Sequence, residues 1–138
     1  MDRLALVADA AVGCAGVSIC ILAAGKVTVM AGAAFTLAWT HSVERTRWEE
    51  HWKVTPAGLQ VVEARIRGSG AGMDPPEGSV FRDGWWVYRP AVGPQRRLVL
   101  AASGATGEGW SLCAEGRCAM IGDRAADAAV VTACEGHD

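Results

Sequence analysis

From Val17 onward the apolar residues of this chain recur at every second position, in short runs broken by glycine, proline and Asp-Gly turns. Only an extended backbone puts residues i, i+2 and i+4 on one face, so this period commits the runs to strands. Lys26-Val-Thr-Val-Met30 alternates between Gly25 and Ala31-Gly32. The run 34–41 places Phe35, Leu37, Trp39 and His41 on one face, and Thr36, Ala38 and Thr40 on the other. The run 47–54 sets Trp48, Glu50, Trp52 and Val54 against Arg47, Glu49, His51 and Lys53. Thr55-Pro-Ala-Gly58 is a turn, because Pro presets φ and Gly accepts a positive one, so 47–54 and 59–66 form a hairpin.

The segment 68–78 is too rich in Gly and Pro for regular structure. Strand patterning returns in 79–81, crosses a turn at Asp83-Gly84 into 85–89, and resumes in 97–102. Trp110–Cys113 and Cys118–Ile121 form a closing hairpin. No amphipathic helix of any length interrupts the series. The expected fold is all-β, a single-domain antiparallel β-sandwich or partly open barrel of about 8–10 short strands over 17–122. The Ala-rich tail 123–138 is expected to be a short helix or flexible.

Hydrophobic residues make up 51% of the 138, which excludes wholesale disorder. A formal charge of −2 gives no basic footprint for nucleic acid. Residues 4–24 are apolar enough to resemble a membrane span, but Asp9 and clusters of small residues interrupt them. The sequence therefore reads as an export or anchor segment over 1–16 and a buried strand beginning near Val17.

Five cysteines, Cys14, Cys20, Cys113, Cys118 and Cys134, leave at least one outside any internal pairing scheme. Cys113 and Cys118 flank a turn-like segment, and opposed strand ends there bring two sulfurs to disulfide distance. Half a zinc site and a pair of buried thiols are the alternatives at that spacing. The pairing of Cys14, Cys20 and Cys134 stays open.

The densest polar stretch is 40–51. A hydrolase would draw on His41, Ser42 and Glu44, yet adjacent strand residues point to opposite faces, and no Gly-x-Ser-x-Gly elbow exposes the serine. A metal site would gather His41, Glu44, Glu50 and His51, but Glu50 and His51 belong to opposite faces of one strand. Glu49 and Arg47 read as a charged sheet edge. Glu50, an acid between Trp48 and Trp52 on an apolar face, needs a partner, for which Arg45, Arg65 and His41 are available. The run from Gly68 to Gly72 lacks the Lys-Ser/Thr ending of a nucleotide loop. Trp85 and Trp86 are strand neighbours, so one faces away from the core and is free to line a groove or dock a protein. The sequence implies no cofactor and no metal.

The residues 35–46, then Glu49-Glu50, Gly58-Leu59, Glu63-Ala-Arg65, Gly68–Met73 and Asp83-Gly84-Trp85, resemble the bacterial family known as domain of unknown function 1850. Its signature is a strand ending in His-Ser-Val-Glu, a following Glu, and a Gly-Ala-Gly loop. His41, Ser42, Val43 and Glu44 match the block, Glu50 (or Glu49) the following acid, and Gly70, Ala71 and Gly72 the loop. The chain departs from the pattern after Thr46, where many members carry Pro-Val and this one has Arg47-Trp48. Members are often encoded beside tripartite ATP-independent periplasmic (TRAP) transporters of the TAXI type. The resemblance thus implies a periplasmic or inner-membrane-associated accessory of solute uptake. Its partners would be TRAP membrane subunits, a TAXI-type solute-binding protein or a small molecule. Binding would use His41, Ser42, Glu44, Glu50, Gly70, Gly72, Trp85 and Trp86. No activity is implied.

Overall fold

The computed structural model describes residues 17–40, 46–68, 76–101, 109–122 and 128–135, and these form eleven strands in two antiparallel sheets. The strands are β1 (Val17–Ala23), β2 (Lys26–Ala31), β3 (Ala34–Thr40), β4 (Arg47–Thr55), β5 (Gly58–Arg67) and β6 (Val80–Arg82). They continue with β7 (Trp85–Tyr88), β8 (Arg97–Leu100), β9 (Trp110–Ala114), β10 (Arg117–Ile121) and β11 (Ala129–Glu135). One sheet has the order β10-β9-β3-β4-β5-β7-β6, and the other β2-β1-β11-β8. The all-β sandwich expected from the period-two pattern is the fold.

Three hairpins close through two-residue turns, Ala24-Gly25, Asp83-Gly84 and Glu115-Gly116, with positive φ at both positions. That geometry matches the right-handed twist of the flanking strands. Gly58 serves a different need. A Cβ on it would lie 2.6 Å from the Gln95 carbonyl oxygen, because Leu59 and Gln95 exchange two backbone hydrogen bonds at 2.7 and 2.8 Å.

The core lies between the sheets. Ile19, Ile21, Leu100 and Val131 from the smaller sheet meet Phe35, Leu37, Trp52, Leu59, Val61 and Leu112 from the larger. Burying an aliphatic side chain of this size contributes roughly 1.5–3 kcal/mol. No residue of β6 or β7 belongs to this cluster, so the smaller sheet covers only part of the larger one's inner face.

The C-terminal segment corrects the expectation of a helix or flexible tail. β11 is a central strand, hydrogen-bonded to β1 on one side and β8 on the other, and the domain therefore extends to Glu135. Alanine content favours a helix, but Val130, Val131 and Thr132 are β-branched and alternate, and tertiary pairing overrides propensity. Cys134 of this strand is disulfide-bonded to Cys20 of β1, a partner the spacing left open. Cys113 and Cys118 are bonded as expected, across directly opposed positions of β9 and β10. Two disulfides point to an oxidising compartment. Among the described residues no helix is long and apolar enough to cross a membrane. Residues 1–16, including Cys14, lie outside the described residues.

Pairing of β4 with β5 contains one irregularity. Trp52 opposes Val61 and His51 opposes Glu63, so Val62 is an extra residue, a β-bulge. The bulge changes the parity of β5. Leu59 and Val61 face inward before it; Ala64 and Ile66, both about 1% exposed, face inward after it. Without it Glu63 and Arg65 would point into the sandwich.

Candidate functional site

His41, Ser42, Glu44, Gly70 and Gly72 lie outside the described residues, but the strand ends that launch their segments are in place. Thr40 of β3 opposes Arg47 of β4, Arg67 of β5 opposes Trp85 of β7, and Gly68 N–H donates to the Gly84 carbonyl at 3.2 Å. Since β4 and β5 are neighbours, Thr40, Arg47, Arg67 and Trp85 all stand at the same end of the larger sheet. Trp110, the first residue of β9, stands at that end too, and its indole donates at 3.0 Å to the carbonyl of Ala101, the residue after β8 of the smaller sheet.

Beneath this end the inner face carries an unusual row. Residues opposed in register share a face. Trp39 opposes Trp48, Trp48 opposes Ile66, Ile66 opposes Trp86, and Trp86 opposes Phe81. Trp110 joins at the other flank. The rings touch: Trp39 and Trp48 stack at 5.9 Å between centroids, Trp39 meets Trp110 at 4.9 Å, and Phe81 meets Trp86 at 4.9 Å. Aromatic pairs prefer these offset and tilted geometries. Trp39 and Trp110 pack against the sandwich core, whereas Trp48, Ile66, Trp86 and Phe81 lie beyond it, and Phe81 at the edge is 50% exposed.

One row further in, Leu37, Glu50, Ala64 and Tyr88 lie side by side. Glu50 accepts a hydrogen bond from the Trp52 indole at 3.0 Å. Burial pushes its carboxyl above the usual carboxylate range, and the Trp52 bond offsets part of that rise. Tyr88 is pushed up as well, first by burial and then by the charge of Glu50. Of the three partners expected for Glu50, Arg65 is excluded, and Arg45 and His41 lie outside the described residues. Arg65 lies on the outer face, where it binds Glu49 through two nitrogens, and Arg47 approaches Glu49 at 3.8 Å. The bulge at Val62 is the cause.

The indole nitrogens of Trp48 and Trp86 are buried, and among the described residues neither finds an acceptor. A buried donor left unsatisfied costs roughly 1–3 kcal/mol. Both belong to the aromatic row. In register they and Glu50 flank a two-strand-wide strip of smaller apolar residues, Ala64 and Ile66 of β5, with Trp48 and Glu50 on one side and Trp86 and Tyr88 on the other; this strip is the slot referred to below.

The outer face differs in character. Trp85 faces outward as one of the two neighbours must, but it is not a bare platform: the Arg65 and Arg67 guanidiniums lie 4.1 and 5.3 Å from its ring centroid. His51 is also outside, its Nδ1 3.2 Å from the Thr36 hydroxyl. The separation of Glu50 and His51 therefore holds, and among the described residues no three His, Cys, Asp or Glu side chains gather as a metal site. A cleft of about 440 Å³ runs along β5, β7 and β6, lined by Val87 and Tyr88 together with the charged Glu63, Glu77, Arg82 and Arg89. These are surface charges of both signs, whereas both buried unpartnered nitrogens lie on the opposite face.

Sequence patterning singles out Glu50 as an acid on an apolar face. It does not bring Trp86 and Tyr88 to its side, because that takes the β5–β7 pairing and the parity change within β5. The residues that make the floor, Ala64 and Ile66, give no signal beyond being apolar.

A family model described as domain of unknown function (DUF1850) matches residues 35–121. That span contains the row, the slot and nearly all of the larger sheet, whereas β1, β2, β11 and the Cys20–Cys134 bond lie outside it. No curated protein and no solved structure matches the chain.

Proposed function

The chain belongs to the DUF1850 family, and from that membership we propose that it is a non-enzymatic binding protein that assists solute uptake by a TAXI-type TRAP transporter. In this reading it works in the periplasm or at the periplasmic face of the inner membrane. It binds a transporter component or a small ligand at the end of the larger sheet. The observation that carries the reading is the slot over β5, with two buried indole donors and a desolvated carboxylate that the described part of the protein leaves short of partners. Unmet hydrogen-bonding capacity grouped at one place is what a binding surface retains for its partner. The two disulfides agree with an oxidising compartment. Proximity to TRAP transporters comes from the family resemblance. A metal-dependent or serine hydrolase built on His41, Ser42 and Glu44 is the competing class, and no described contact favours it.

Affinity capture of the tagged, full-length protein from detergent-solubilised membranes tests the proposal. The expected result is co-recovery of TRAP membrane subunits or a TAXI-type binding protein, reduced at least tenfold by Trp48→Ala together with Trp86→Ala. A preparation free of transporter components, together with unchanged solute uptake in a strain lacking the protein, would overturn it. Hydrolase activity that disappears in Ser42→Ala would move the assignment to the competing class.

A further inference from the structure

We propose that the slot over β5 takes a small zwitterion, a molecule that joins a cationic nitrogen to a carboxylate on a compact apolar frame. The proposal rests on the binding-protein reading above and names the ligand class of its site.

The argument is an inventory of what the slot offers and lacks. Its walls stand two strands apart, which places their backbones roughly 9–10 Å from each other, and successive rows along a strand are roughly 7 Å apart. Ala64 between Glu50 and Tyr88 leaves more room than Ile66 between Trp48 and Trp86. Trp48, Glu50, Trp86 and Tyr88 are each partly exposed, so the walls reach solvent while the floor does not.

In the outer row the groups without partners are donors, the Trp48 and Trp86 indole N–H groups. They call for an acceptor oxygen. In the inner row the group short of partners is an acceptor. An ionised carboxylate accepts about four hydrogen bonds, and among the described residues Glu50 receives one, from Trp52, with no Lys or Arg in an ion pair with it. It calls for a cation, and aromatic faces such as those of Trp48, Trp86 and Tyr88 attract cationic nitrogen as well. Burial already raises the Glu50 carboxyl, so a positive charge beside it relieves a penalty the free protein bears.

The two demands are incompatible with a ligand of single character. A simple carboxylate satisfies the indoles and meets repulsion from Glu50. A simple amine or quaternary ammonium satisfies Glu50 and leaves the indoles unfilled. A zwitterion answers both rows at once.

The test uses the full-length protein with its disulfides intact, tryptophan fluorescence and calorimetry, and probes matched in shape. L-leucine is compared with 3-methylbutylamine and 4-methylpentanoate, and glycine betaine with choline. The expected result is that at least one zwitterion binds tenfold or more tightly than its matched single-charge analogues. Glu50→Gln, which keeps an acceptor for the Trp52 indole, is expected to weaken zwitterion binding about tenfold and to abolish the preference over 4-methylpentanoate. Trp86→Phe, which keeps a ring and removes the N–H, is expected to weaken it several-fold. Absence of binding by both zwitterions overturns the proposal, as does equal binding of a single-charge analogue or affinity unchanged in both variants. Capture of transporter components without zwitterion binding would reject the ligand class and leave the binding-protein reading standing. Zwitterion binding without such capture would do the reverse.

Discussion

Arg65 donates two hydrogen bonds to a single oxygen of Glu49, at 2.9 Å from Nε and 2.7 Å from the terminal nitrogen. Glu49 is satisfied by this pair on the outer face, while Glu50, the next residue, turns inward and has an indole for its partner. Adjacent acids of one strand thus occupy opposite electrostatic situations. The difference follows from strand alternation together with the parity change at Val62.

Glu50 makes stability depend on pH with a defined sign. Its carboxyl is raised in the folded protein, so between the ordinary carboxylate range and the raised native value the native state holds a proton that the unfolded chain releases. Folding is therefore unpenalised below the ordinary carboxylate range and loses stability as pH rises through it to the elevated native value. Glu50→Gln is expected to raise Tm at about pH 7.5 and to leave it nearly unchanged at about pH 4. Thermal unfolding at the two pH values checks this; equal shifts at both would contradict it.

Arg65→Met tests the outer-face cluster. The substitution removes the Glu49 pair and the cation above Trp85 while keeping much of the aliphatic stem. Both contacts are partly solvent-exposed, so the expected cost is modest, about 0.5–1.5 kcal/mol. Urea unfolding measures it, and the loss should shrink in high salt because screening weakens the pair already in the parent.

The two disulfides should differ in weight. Cys20–Cys134 closes a loop with a separation of 114 residues, and Cys113–Cys118 one with a separation of 5. On loop-closure entropy the long bond stabilises by up to about 5 kcal/mol and the short one by about 2 kcal/mol. Paired Cys→Ala variants compared by denaturant unfolding are expected to preserve this order. The long bond also ties the C-terminal strand, paired at the centre of its sheet, covalently to β1.

Gly58→Ala is expected to destabilise by about 2 kcal/mol or more. The added methyl group would sit 2.6 Å from the Gln95 carbonyl oxygen at a residue whose φ is +127°. Gly93→Ala, where a Cβ meets nothing within 4 Å, serves as the control with little effect. Circular dichroism melts of the two variants separate close approach from a general effect of losing glycine.

Much of this architecture is legible in the residues themselves. The alternation of Phe35, Leu37 and Trp39 marks β3 and its inner face, the Thr55–Gly58 turn joins β4 to β5, and the Cys113/Cys118 spacing marks a hairpin. Each is a local pattern in which side-chain period or turn chemistry depends on near neighbours alone. The acid at position 50 also stands out, because its place in the alternation conflicts with its charge. The position of β11 was hidden, since an Ala-rich segment gains its strand identity from β1 and β8, far away in the chain. The partners of Glu50 were hidden for a related reason. A single extra residue, Val62, reverses which side chains of β5 face inward, sending Arg65 to Glu49 and setting Ala64 beneath Glu50 and Tyr88. Strand period can be read one residue at a time; a bulge exists only relative to the strand it pairs with, and the site inherits that dependence.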